Sequence, residues 1–317
     1  METTPLIGIS ACLLGHTVRF DGGHKYDAWL VETLGQYVDY VPVCPEVGCG
    51  LPVPREAMRL VGDPEHPLLL TVKTGIDITP RMLEFSLAKV DELGKLELCG
   101  FVFKSKSPSS GMERVKVYSP KGGPAQKKGV GIFAREFMRA YPLLPCEEEG
   151  RLHDPALREN FIERVFVTAR WNELLRAKPK TADVIDFHTR HKLLLMAHNP
   201  RLYREMGKLV AEIKALPPDE FRQTYERMLA AAMASPATPA RHQNVLQHIL
   251  GYFKHDITPA EKAEVMELID AYRAHQVPLI VPVTMLNHFA RKYQKDYLLL
   301  QHYLHPHPRE LALRNHV

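Results

Sequence analysis

The rhythm of apolar and polar positions changes near the middle of the chain. In the first half, short apolar runs read as strands: PLIGIS over 5–10, YVDYVPV over 37–43 and LCGFVF over 98–103. Between them, ITPRMLEFSLAKVDEL over 78–93 has helical spacing behind a Thr-Pro start, and residues 112–118 alternate like an amphipathic strand. Strands separated by helical stretches predict an α/β domain with a mostly parallel, Rossmann-like sheet. From Asn160 onward the spacing is helical, beginning with FIERVFVTARWNELL and VIDFHTRHKLLLMAH and continuing through 204–216, 219–233, 241–254, 259–275 and 285–302. Breakers separate these stretches at Pro179, Pro217-Pro218, 235–239 and Pro278/Pro282, so the second half is predicted to be all-α. The expected organisation is a domain over 1–145, a Pro-containing linker over 142–158, and a helical domain over 155–317.

In open parallel sheets, ligands bind beyond the carboxyl ends of the strands. Cys12, Cys44 and the Lys104–Gly111 loop each follow one of the three predicted strand ends. Three segments distant in sequence are therefore expected to meet on one rim.

Composition sharpens this picture. All five cysteines (Cys12, Cys44, Cys49, Cys99, Cys146) precede residue 147, which places any thiolate chemistry in the first domain. The N-terminus lacks a basic segment followed by an apolar one, and no apolar run is long enough to span a bilayer; a cytoplasmic location is expected. In that compartment cysteines serve as thiols, metal ligands or catalysts rather than as disulfides. Residues 151–317 hold 24 Lys+Arg against 18 Asp+Glu and 13 of the 16 histidines, while the rest of the chain is slightly acidic. A basic half is compatible with a polyanionic partner, while charge alone favours an ordinary solvated surface.

Three motifs could carry chemistry. Ser10-Ala-Cys-Leu-Leu-Gly15 puts Cys12 among small residues, with room for a bulky inorganic group; read alone, Cys12 is more often a small buried hydrophobe, the usual fate of a free cysteine. In Val43-Cys-Pro-Glu-Val-Gly-Cys-Gly, Cys44 and Cys49 are close enough to bind one centre, and Glu46 beside them is a candidate general base. The spacing is not that of a zinc site, and a structural turn with Arg55 paired to Glu46 or Glu56 is the competing reading. Lys104-Ser-Lys-Ser-Pro-Ser-Ser-Gly111 offers hydroxyls and two ammonium groups, Lys104 and Lys106, as a clamp for an anion or a substrate carbonyl, or simply a solvated turn.

Taken in order, SACLLG, the Arg19-Phe-Asp-Gly22 echo, CPEVGCGLPVPRE and KSKSPSSG resemble the thiouracil desulfidase family over about residues 5–145. HKLLLMAH, GYFK and YLLLQHYLHPHPREL resemble the helical domain often fused to it, and the combination is similar to tRNA 4-thiouridine desulfidases. The resemblance implies a 4Fe–4S cluster held by three cysteines with one open iron, and a tRNA carrying thiolated uridine as substrate. It also implies Ser107 as a substrate-positioning or proton-relay residue, with Ser110 and Arg55 at the substrate. One departure stands out: where the family has cysteine in Ser-Pro-Ser-Cys-Gly, this chain has Ser110. A serine oxygen matches iron poorly. The expected ligands are therefore Cys12, Cys44 and Cys49, with Cys99 and Cys146 structural.

The implied reaction replaces the thiocarbonyl sulfur with oxygen from water, Glu46 handling protons, and releases hydrogen sulfide. The helical domain would hold the RNA backbone; Tyr293 and Tyr297 beside Arg291, Lys292 and Lys295 offer a stacking or phosphate contact, against the commoner reading of a core-facing aromatic stripe with solvated lysines. Two other classes remain open. One is a desulfidase acting on free thiouracil or thiouridine nucleosides; the other is a non-catalytic, cluster-bearing RNA-binding protein.

Overall fold

The computed structural model describes residues 4–316. The chain forms two compact units, Met1–Asp154 and Pro155–Val317.

The first unit contains two four-stranded sheets. One has the order β2-β1-β5-β8, from β1 (Leu6–Ser10), β2 (Asp39–Val43), β5 (Gly100–Phe103) and β8 (Cys146–Glu148), all parallel. The second has the order β4-β3-β6-β7, from β3 (Met58–Gly62), β4 (Pro67–Thr71), β6 (Val115–Tyr118) and β7 (Gln126–Gly129). In it β3 and β6 are parallel and both outer pairings are antiparallel. Helices α2 (Thr79–Leu93) and α3 (Ile132–Ala140) serve both sheets. Val90, Leu93, Phe133 and Phe137 pack with the parallel sheet, and Met82 and Ile132 with the mixed one. The register is enforced by close contact: a Cβ on Gly8 of β1 would lie 2.2 Å from the Phe101 ring of β5.

The parallel sheet and the all-helical second half match the expectation. The mixed sheet was legible only at β6; β3 and β4 were not read as strands. The supposed linker is also more than that. Cys146–Glu148 is the edge strand of the parallel sheet, and the Glu147–Glu149 triplet is buried.

The second unit packs α4 (Pro155–Arg176), α5 (Thr181–His198), α6 (Pro200–Ala211), α7 (Pro218–Met233), α8 (Pro239–Gly251), α9 (Pro259–Arg273) and α10 (Ile280–Lys292) around one apolar core. Several residues that break the hydrophobic pattern also start helices. Pro200, Pro218, Pro239 and Pro259 sit in first turns, where a missing N–H costs nothing, and Asn199, Thr238 and Thr258 cap three of these helices. A charged network lies within the unit. Buried Arg314 donates to Glu159 (2.9 Å) and Glu163 (2.7 Å). His198 contacts Glu163 at 2.8 Å through Nε2 and the Ser235 carbonyl at 2.8 Å through Nδ1. Both ring nitrogens of His198 thus face acceptors, and the Arg314 guanidinium meets both carboxylates. No helix among the described residues is long and apolar enough to cross a membrane.

Candidate active site

The carboxyl ends of β1, β2 and β5 open onto a cavity of about 450 Å³. Chain geometry brings its walls together. The parallel register sets Ser10 beside Val43, so Cys12 in the turn after β1 and Cys44 at the start of α1 (Pro45–Gly48) emerge side by side. The Lys104 amide donates to Ser10 Oγ at 2.9 Å and ties the third loop to the first. That loop then docks on the N-terminus of α3: the Phe133 amide donates to the Ser109 carbonyl at 2.9 Å, and the Gly131 amide to the Gly111 carbonyl at 2.8 Å. The otherwise orphaned helix amides are satisfied by loop carbonyls, which fixes the loop. The fit leaves no room for a side chain at Gly131, where a Cβ would lie 2.5 Å from the Ser109 carbonyl carbon.

Of the sequence-derived site residues, Cys12, Cys44, Glu46, Arg55, Lys104, Lys106, Ser107 and Ser110 all line this cavity. Cys49 does not. Its side chain packs with Leu60, Leu69 and Met82, and its thiol donates to the Glu46 carbonyl at 3.3 Å. Cys99 is buried, and Cys146 lies on the edge strand.

The thiols are held neutral. Burial pushes the Cys12 thiol up to about 11, opposed in part by Lys104, and burial also raises Cys44. A soft metal cation is the natural source of the positive charge needed to draw out both thiolates.

Glu46 is clamped on both oxygens. Arg55 donates to Oε2 from Nε at 2.9 Å and from Nη2, and it also donates from Nη2 to the Val18 carbonyl at 2.8 Å. The Glu46–Arg55 pairing considered as a structural alternative is therefore present, and it points Glu46 at the cavity. Ser109, which the sequence reading passed over, donates from Oγ to Oε1 at 2.8 Å. Ser107 Oγ lies 2.9 Å from Ser109 Oγ. Because Ser109 gives its proton to Glu46, Ser107 must donate to Ser109. The result is a directional chain from Ser107 through Ser109 to Glu46.

The cationic residues divide into two kinds. Lys104 is neutralised by Glu149, which also accepts from Ser105, so its main work is to brace the loop. Glu148 plays a similar part, accepting the Met112 amide at 2.8 Å. The signal for both was the acidic triplet, which reads in sequence as a solvated linker. Lys106 is exposed on the cavity wall and forms no salt bridge among the described residues.

Residues 7–149 match the model of the 2-thiouracil desulfurase family, and residues 192–308 match DUF1722, a family of unknown function. The first unit thus matches the 2-thiouracil desulfurase family and the second contains the DUF1722 match, each over less than half of the chain. It is similar to the uncharacterized protein YbgA of Escherichia coli (strain K12), at 31% identity over 153 residues, 48% of this chain and 90% of that one. A solved structure described as the 4Fe–4S-dependent thiouracil desulfidase TudS is 29% identical. That likeness covers 49% of this chain and 97% of the other, with a TM-score of 0.39.

Proposed function

We propose that this protein is a cytoplasmic, iron–sulfur-dependent desulfidase that returns 4-thiouridine in tRNA to uridine. One observation carries the reading: two thiols and a hydrogen-bonded carboxylate–serine chain converge on one cavity at the rim of a parallel sheet.

The residues fit a cluster at two positions and differ at the third. Cys12 and Cys44 are soft donors on the cavity and would hold it. The third lining position is the oxygen of Ser110, since Cys49 faces the apolar core. When bound, such a cluster supplies an open iron as a Lewis acid toward a thiocarbonyl sulfur. The protein's own groups handle protons. Overall, C=S and water become C=O and hydrogen sulfide, with no change in oxidation state. Glu46 Oε1 takes the proton of the attacking water, directly or through Ser107 and Ser109. Arg55 fixes the opposite carboxylate oxygen and so sets the direction of transfer. Lys106 stands on the wall where an anionic substrate group would enter.

The tRNA assignment is supported by the resemblance over both halves and by the excess of basic residues in 151–317. A second reading, action on free thiouracil or its nucleoside, is favoured by one feature: every cavity residue belongs to the first unit. Multiple-turnover sulfide release from thiolated tRNA and from free 2-thiouracil, measured on the same anaerobic preparation, separates them. A kcat/KM for tRNA at least tenfold above that for the free base supports the first; the reverse order replaces it with the second. Sulfide from neither removes the desulfidase assignment.

A further inference from the structure

The helical unit has its own cavity, about 270 Å³, between α10 and the chain's last segment. Its chemistry is one-sided. Arg291 and His288 of α10 face His305, His307, Arg309 and Arg314 of the tail, and no Asp or Glu is among the lining residues. The charge of Arg314 is met from behind by Glu159 and Glu163. Arg291 and Arg309 are exposed and form no salt bridge among the described residues. Burial depresses the His305 pKa, and the positive charges of Arg291, Arg309 and Arg314 add to the shift.

A cation is the wrong occupant. Ligand atoms of Glu159, Glu163 and His307 lie within 4.8 Å of one another, but both carboxylates are already engaged by Arg314, and Glu163 by His198 as well. An anion with several acceptor oxygens is what two free guanidinium forks in a recess accommodate best. The aliphatic floor of Val283, Leu304 and Leu313 lowers the local dielectric and strengthens that attraction.

We propose that this recess is a phosphate-binding site, with Arg291 and Arg309 as its principal ligands. The phosphate can belong to an RNA backbone or to a free phosphate compound. The first source rests on the tRNA reading above, and the second does not.

The test uses the full-length protein and the double variant Arg291→Gln/Arg309→Gln, whose exposed side chains can be replaced without disturbing the core. A charge-matched control, Arg201→Gln/Arg222→Gln, removes two exposed arginines from α6 and α7. Binding of inorganic phosphate by calorimetry and of an unmodified tRNA transcript by filter retention is measured for all three proteins. The double variant should lose at least tenfold in affinity for one or both probes while the control stays within threefold of wild type. Loss for tRNA, with a slope of log K against log salt reduced by about two, identifies the RNA backbone as the source. Loss confined to inorganic phosphate identifies a free phosphate compound. Equal affinities in the double variant and control overturn the site. Sulfide release from free 4-thiouridine, which needs no phosphate contact, is measured in parallel. Its absence in all three proteins, together with no sulfide release from thiolated tRNA, would remove the desulfidase reading and leave the phosphate result to stand by itself.

Discussion

Replacing Gly131 with alanine tests whether the Ser107–Gly111 loop must sit where it does. Gly131 has φ −60° and ψ 143°, a conformation open to any residue, so the substitution adds volume without backbone strain. The new methyl would lie 2.5, 2.6 and 2.7 Å from the Ser109 carbonyl carbon, its oxygen and the Ser110 nitrogen, all of them backbone atoms that cannot rotate away. Reaching an ordinary 3.4 Å contact needs about 0.9 Å of movement, and the loop must supply it because α3 is packed on both sheets. Overpacking of this kind costs about 1–3 kcal/mol of stability. A displacement near 1 Å at reacting groups costs about 100-fold in rate, because Ser109 loses its 2.8 Å line to Glu46. The assay is anaerobic sulfide release beside a thermal melt, with Gly207→Ala as a control at a position with open space around it. We expect Gly131→Ala to fold, melt lower and lose about two orders of magnitude in turnover. Wild-type turnover in a folded Gly131→Ala protein would refute the claim that loop position governs the site.

Glu46→Gln keeps the shape but removes the base and, with one acceptor oxygen in place of two, can accept from Ser109 or from Arg55 but not from both; it should retain its metal content and lose about 10²–10⁴-fold in kcat, and unchanged kcat excludes Glu46 from proton transfer. Cys49→Ala should keep the iron and sulfide content of wild type, whereas Cys12→Ala and Cys44→Ala should lose it; loss in Cys49→Ala would return that thiol to the ligand set. Ser110→Cys should slow iron release on exposure to air relative to wild type, and an unchanged rate would show that position 110 does not reach the metal. The helical unit should be acid-labile. Burial depresses His242 to about 3 and His307 to about 4, so below pH 6.5 the unfolded chain takes up protons that the folded one refuses. Stability present above 6.5 is lost as pH falls, by about 2 kcal/mol per histidine at pH 5; a melting temperature that holds between pH 7.5 and 5.0 would contradict this.

The parts of the fold written in apolar periodicity were legible. The helix over 79–93 was expected within a residue, and β1, β2 and β5 each fell inside an apolar run. Their carboxyl ends predicted the rim where Cys12, Cys44 and the serine loop meet. What periodicity does not encode was missed. The strands at 58–62 and 67–71 mix buried and exposed positions with charge and proline, and β8 is only three residues long. The burial of Glu148 and Glu149 depends on partners more than thirty residues away, Met112 and Lys104, which local sequence cannot reveal. Cys49 illustrates the same limit at the site. Its spacing from Cys44 suggested a shared centre, but the short helix α1 turns the two thiols apart, one to the cavity and one to the core. Ser109, indistinguishable in sequence from its serine neighbours, is the one whose hydroxyl reaches Glu46.

The central claim is that this cavity exchanges a thiocarbonyl sulfur for the oxygen of water. It is tested most directly by a single turnover of thiolated tRNA with iron–sulfide-reconstituted protein in ¹⁸O-enriched water and without reductant. One sulfide should be released per 4-thiouridine consumed and one ¹⁸O should appear at the former sulfur position, with neither product in Cys12→Ala or Cys44→Ala. Unlabelled uridine, a requirement for added electrons, or equal yield from the Cys12→Ala protein would contradict it.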